Sequence, residues 1–90
     1  MEQFTIQFNN CLYTGTLFTS RDRFPYYYWY YFEDTELAKV VGECIGFTEK
    51  SGDIVLTENL AQQFNPIADA VRNYILVRYY QSGAGKRQAN

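Results

Sequence analysis

The chain has 90 residues, the size of one small domain. At 47% apolar composition it can fill a core, and no apolar run approaches the ~18 residues of a membrane span. A net charge of −2 selects no particular partner, and the absence of histidine removes the commonest general base and transition-metal ligand.

Phe4, Ile6 and Phe8 alternate with Gln3, Thr5 and Gln7, which predicts a strand with one wet face. Asn9-Asn10 follows, and asparagine tolerates positive φ, so a two-residue hairpin turn is expected. The register of the next strand, Cys11 to Thr19, then follows. Phe8 should oppose Cys11, Ile6 should oppose Tyr13, and Phe4 should oppose Gly15 and fill the space above it. Ser20 to Pro25 reads as a loop carrying Arg21 and Arg23.

Phe24 to Phe32 holds eight aromatic rings and one proline. Tyr26 to Glu33 is the expected third strand, since a helix would place rings around its whole circumference. Alternation puts Tyr26, Tyr28, Tyr30 and Phe32 on one face and Tyr27, Trp29 and Tyr31 on the other. The pattern alone does not say which face is buried. Glu33-Asp34-Thr35-Glu36 closes the strand, with room for one helical turn through Lys39. Val40 to Thr48 reads as a fourth strand because Gly42 and Gly46 disfavour helix. Its small face, Gly42, Cys44 and Gly46, leaves room for rings from the aromatic strand. Lys50-Ser51-Gly52 turns the chain into a short fifth strand, Asp53 to Thr57.

Asn65-Pro66 reads as an N-cap followed by proline at the first helical position. Ile67, Val71, Tyr74 and Ile75 share one arc of the helix that follows, and Arg78 interrupts it near the end. Leu76 and Tyr80 fall on the opposite side with Asp69, Arg72 and Asn73. Gly83 is the expected stop, and residues 82–90 are expected to be a disordered polar, basic tail beyond a single domain of residues 1–81.

The motifs that carry chemistry are sparse. Cys11 and Cys44 are too few for structural zinc, lack CxxC spacing and read as buried free thiols. Glu33, Asp34 and Glu36 lack the ligand spacing of a calcium loop. Gly83-Ala84-Gly85-Lys86-Arg87 resembles the end of a phosphate-binding loop. It lacks the leading glycine, has Arg87 where serine or threonine would hold magnesium, and follows a helix instead of a strand. The N-terminal residues have neither the basic nor the apolar region of a secretory signal.

The sequence therefore predicts an α+β domain: an antiparallel meander of about five strands with one C-terminal helix packed on one face. No catalytic residue, cofactor or metal site is assigned, and an enzyme is not expected. The expected role is a non-enzymatic interaction module that self-associates as a homodimer or meets another protein. The candidate residues are Tyr27, Trp29 and Tyr31 on the sheet, and Arg72, Leu76 and Tyr80 on the helix. Residues 33–69 carry a net −6 and residues 70–90 a net +4, an asymmetry that can orient such contacts. Single-stranded nucleic-acid binding by ring stacking is the alternative, weakened by the acidic balance. A carrier of a small apolar ligand between sheet and helix is the third reading. No membrane association is expected, and the cytoplasm is the expected compartment.

Overall fold

Asn9 and Asn10 both take positive φ, 52° and 64°. That conformation matches the twist of two antiparallel strands and closes the hairpin in two residues. It joins β1 (Glu2–Phe8) to β2 (Cys11–Ser20). The register is the one the turn dictates: Phe8 opposite Cys11, Ile6 opposite Tyr13, Phe4 opposite Gly15. The computed structural model describes residues 1–81. Residues 82–90, with the expected tail and the stop at Gly83, lie outside the described residues.

β3 (Tyr27–Phe32), β4 (Cys44–Lys50) and β5 (Asp53–Leu56) continue the meander. The five-stranded antiparallel sheet has its strands in chain order, β1-β2-β3-β4-β5, with the aromatic strand at the centre. Ser51 and Gly52, at φ 56° and 81°, make the turn between β4 and β5. The fold is α+β, as the alternation predicts.

The helical elements depart from the sequence reading. Thr35–Val41 forms α1, so Val40 and Val41 are helical and β4 begins only at Cys44. Asp34 decides this. Its Oδ1 accepts the Leu37 N–H at 2.8 Å, and the capped turn outweighs the strand preference of two valines. α1 then drives Leu37 into the core. The long helix α2 (Asn65–Leu76) is entered through a 3-10 turn, Gln62–Phe64. Asn65 is therefore already helical, at φ −54° and ψ −37°, and is not the N-cap. Pro66 still sits in the first helical turn, where its missing N–H is harmless.

α2 lies across one face of the sheet with Ile67, Ala68, Val71 and Ile75 buried. Opposite them are Ile6, Leu17, Tyr28, Tyr30, Ile45, Phe47 and Ile54. Phe4, Phe8 and Tyr13 pack against this core but remain half-buried. The structure thus resolves the aromatic alternation. Tyr28 and Tyr30 are fully buried beneath α2, while Tyr27, Trp29 and Tyr31 face away from it. Tyr30, not Phe4, fills the space above Gly15: a Cβ there would lie 2.3 Å from Tyr30 Cζ. The Tyr30 hydroxyl passes over the glycine to donate to the Phe4 carbonyl at 2.9 Å. The two cysteines are also not the buried pair expected. Both are free thiols, Cys11 exposed at a hairpin end and Cys44 half-buried at the start of β4. β3 separates their strands.

Candidate interaction surface

The sheet face away from α2 carries no helix. Strand alternation and register place on it Leu12, Thr14, Thr16 and Phe18 of β2, and Tyr27, Trp29 and Tyr31 of β3. Cys44, Gly46 and Thr48 of β4 and Val55 of β5 complete it on the other side. The rings pack on one another. Phe18 meets Tyr31 edge to face at 5.3 Å, and Tyr27 stacks on Trp29 at 5.9 Å with their planes 14° apart. Trp29 lies over Gly46: a Cβ at Gly46 would be 3.3 Å from Trp29 Cδ1. The small residues of β4 therefore do receive a ring, and Trp29 is half-buried as a result.

The other rings stay open to solvent. Tyr31 is 42% exposed, Phe18 40%, Tyr27 37% and Leu12 73%. A shallow groove of about 460 Å³ runs between Phe18, Trp29, Tyr31, Phe32, Thr16 and Met1. Its rim carries Glu33, whose carboxylate accepts from the Gln3 side-chain amide of β1. Electrostatically the face is nearly neutral. Among strand positions on this side the only cation is Lys50, which sits opposite Asp53 at a corner. The Tyr31 hydroxyl is pushed to higher pKa by the neighbouring Cys44 thiol, by burial and by Glu43.

Arg21 of the β2–β3 loop lies on the other side of the sheet. Its guanidinium lies 4.8 Å from the Tyr26 ring, 4.8 Å from Tyr79 and 5.5 Å from Tyr80. It fastens the β2–β3 loop to the end of the C-terminal helix by cation–π attraction. The Arg21 guanidinium is therefore engaged away from the aromatic sheet face.

The helix candidates are distributed differently from the sequence reading. The last turn, Val77–Gln81, is a π turn. Its wider winding breaks the regular 3.6-residue period and swings Tyr80 onto the sheet. The Tyr80 hydroxyl donates to Glu49 Oε1 at 2.7 Å and lies 2.6 Å from the Tyr28 hydroxyl. With its single proton on Glu49, Tyr80 must accept from Tyr28. Burial, Tyr28 and Glu49 together push the Tyr80 hydroxyl far above its ordinary pKa. Leu76 is half-buried against the core, so the pair is not an exposed patch. Arg72 is half-buried, with its Nη2 3.3 Å from Asp69.

Two carboxylates on the helix side of the sheet hold this terminal turn. Glu49 takes Tyr80. Glu2 accepts from Arg78 Nε at 2.7 Å and from the Tyr74 hydroxyl at 2.9 Å. Arg78, which interrupts the apolar arc, thus meets an acid of β1. Strand alternation places Glu2 and Glu49 on the inner face, but no pattern in the sequence pairs them with residues 74–80.

Compared with protein-family models, curated proteins and solved structures, the chain matches none. Among the described residues no group of three or more metal-binding side chains converges, and no helix is long and apolar enough to cross a membrane.

Proposed function

We propose that the protein is a non-enzymatic interaction module that self-associates through the outer aromatic face of its sheet. The observation that carries this reading is the exposed, uncharged ring cluster of Phe18, Tyr27 and Tyr31 around Trp29. Contiguous apolar surface of this kind marks contact sites. Tyrosine and tryptophan also suit an interface, since they bury large area at low entropic cost.

The occupant is a second copy of the chain. The sheet has five strands. At ~4.8 Å per strand and ~3.3 Å per residue, a six-residue depth gives a face of roughly 480 Å². Two such faces together cover about 1,000 Å², the lower bound of a specific interface. Face-to-face packing is also how sheets with one apolar outer face bury it. The helix alternative is weaker, because Leu76 and Tyr80 are engaged within the chain. Single-stranded nucleic acid is disfavoured by the scarcity of cations on this face. A carrier is disfavoured because Tyr28, Tyr30, Phe47, Ile67 and Ile75 fill the space between sheet and helix. Two free thiols fit a reducing compartment, and we place the protein in the cytoplasm.

Sedimentation or light scattering tests the reading. The chain mass is 10.6 kDa. The wild type should run at twice that mass at micromolar concentration. Phe18→Glu and Tyr31→Glu should run at the single-chain mass and remain folded, losing only the part of the melting temperature that association supplies, because both side chains are outside the core. A wild-type monomer at about 100 µM refutes the proposal.

A further inference from the structure

β1 is an outer strand of the sheet, and its free edge is unprotected. The residues flanking a two-residue hairpin turn exchange both backbone hydrogen bonds, and the pattern then alternates. Phe8, Ile6, Phe4 and Glu2 accordingly bond into β2, and Gln3, Thr5 and Gln7 turn their N–H and C=O groups outward. One bond on the far side checks this phase. Thr14, opposite Thr5, sends its carbonyl the other way, to the Glu33 N–H of the β3 side at 3.1 Å. Among the described residues nothing bonds the outward groups of Gln3, Thr5 or Gln7.

Sheet edges are ordinarily blunted by lysine, proline, a bulge or a very short strand. β5 follows that rule. It has four residues, and the outward N–H of Ile54 is taken by the Asp53 carboxylate at 2.8 Å. β1 has seven residues, no proline and no charge from Gln3 to Phe8. It also borders a groove of about 390 Å³, walled by Phe4, Thr5, Ile6 and Gln7 on one side and by Ala70, Asn73, Tyr74 and Val77 of α2 on the other. Val77 is 53% exposed there. Stacking of Phe4 on Tyr74 at 3.7 Å holds the floor.

We infer that this groove binds an extended peptide segment of a partner protein, added to the sheet as a sixth strand along β1. Charge selects its chemistry. The groove walls are uncharged, so the central residues are neutral, with aliphatic side chains alternating toward Val77, Tyr74 and Ala70. α2 runs antiparallel to β1: Phe64 meets Phe8 at one end, and Arg78 meets Glu2 at the other. Asp69, 66% exposed though 3.3 Å from Arg72, therefore marks the Phe8 end, and Arg78, 56% exposed though its Nε is held by Glu2, marks the Glu2 end. Antiparallel pairing is the more stable geometry. A segment entering that way begins at Asp69 and ends at Arg78. It carries a cation on its N-terminal flank and a carboxylate on its C-terminal flank.

The probe is the fluorescein-labelled peptide Lys-Thr-Val-Thr-Val-Thr-Asp, titrated with the whole chain and followed by polarisation and by amide NMR. Saturable binding below about 1 mM is expected, with shifts confined to β1 and residues 70–77 and slowed exchange at Gln3, Thr5 and Gln7. Thr5→Pro removes an outward N–H and leaves the bonds to β2 intact, so binding should weaken at least about tenfold. Val77→Glu, at an exposed position, should weaken it comparably even if the proline variant does not fold. The charge-reversed peptide, Asp-Thr-Val-Thr-Val-Thr-Lys, should bind more weakly. Phe18→Glu should bind as wild type, which separates this groove from the outer face. Absence of binding, or equal binding by folded Thr5→Pro and Val77→Glu, overturns the inference. So does protection of the edge amides that rises with protein concentration without peptide, because a second copy would then own the edge.

Discussion

Gly15→Ala tests the central packing of the sheet through the sign of one measurement. The φ of Gly15 is not in the left-handed region, so alanine there would ordinarily gain roughly 0.5–1 kcal/mol from reduced chain entropy. The structure reverses that expectation. A new Cβ would stand 2.3 Å from Tyr30 Cζ, 2.6 Å from its hydroxyl and 2.6 Å from the Tyr31 carbonyl. Tyr30 cannot yield easily, being fully buried with its ring 4.7 Å from Phe4. Overpacking of this kind costs about 1–3 kcal/mol. Loss of the Tyr30 bond to the Phe4 carbonyl adds roughly 0.5–1.5 kcal/mol. The net centres on about 2 kcal/mol of destabilisation within a range of roughly 0.5–4 kcal/mol, the central value being a fall of roughly 10–15 °C in Tm for a chain this size. Circular-dichroism melts and urea unfolding measure it. Tyr30→Phe removes the hydroxyl and lets the ring slide, so the cost of Gly15→Ala should shrink in that background. A Gly15→Ala protein melting at or above wild type refutes the placement of Tyr30 over the glycine.

Ile75→Ala, at a fully buried position of α2, should destabilise by roughly 2–4 kcal/mol in urea unfolding, and a loss under about 0.5 kcal/mol would contradict the packing. Burial and Glu33 push the Tyr30 hydroxyl up to about 12, and Tyr80 is raised for similar reasons. Both groups hold their protons more tightly when folded, so their contribution is complete below the unfolded value near 10 and is lost as pH rises toward 12. Urea midpoints should therefore fall above about pH 10 and fall less steeply in Tyr30→Phe; a single tyrosinate titration near 10 without unfolding would exclude it. In a thiol-reagent assay Cys11 should react quickly and Cys44 more slowly, with no intramolecular disulfide after mild oxidation.

The legible parts of the fold are those governed by short-range chemistry. Two asparagines set the first hairpin, and its register followed residue by residue. Alternation divided the aromatic strand correctly but was symmetric about its axis. Only the position of α2 decides that Tyr28 and Tyr30 are core and Tyr27, Trp29 and Tyr31 are surface. α1 was obscured by Val40, Val41 and the glycines around them, although Asp34, three residues before Leu37, was the available signal of a cap. A regular helical period puts Tyr80 on the wrong side, because the last turn, Val77–Gln81, does not keep that period. The ring over Gly15 came from β3 rather than β1, a cross-strand relation that no single strand's pattern contains.

The two faces of the sheet are built to different rules. On the helix side nearly every polar group is engaged: Glu2 with Tyr74 and Arg78, Glu49 with Tyr80, Tyr30 with the Phe4 carbonyl. On the outer side the rings pack on one another and on Gly46, while Tyr27 and Tyr31 keep over a third of their surface in water. Rings this exposed realise only part of their burial within one chain, where threonine fills the neighbouring positions of β2 at Thr14 and Thr16. The remainder of their stabilisation is realised only when something covers them. A two-fold partner would cover both copies at once. It would leave the β1 edges at the periphery of the pair, each still open along its groove with α2. Two such grooves on one dimer would bind a divalent partner far more tightly than either alone. The neutral outer face and the charge-flanked groove are thus separate surfaces that can act together.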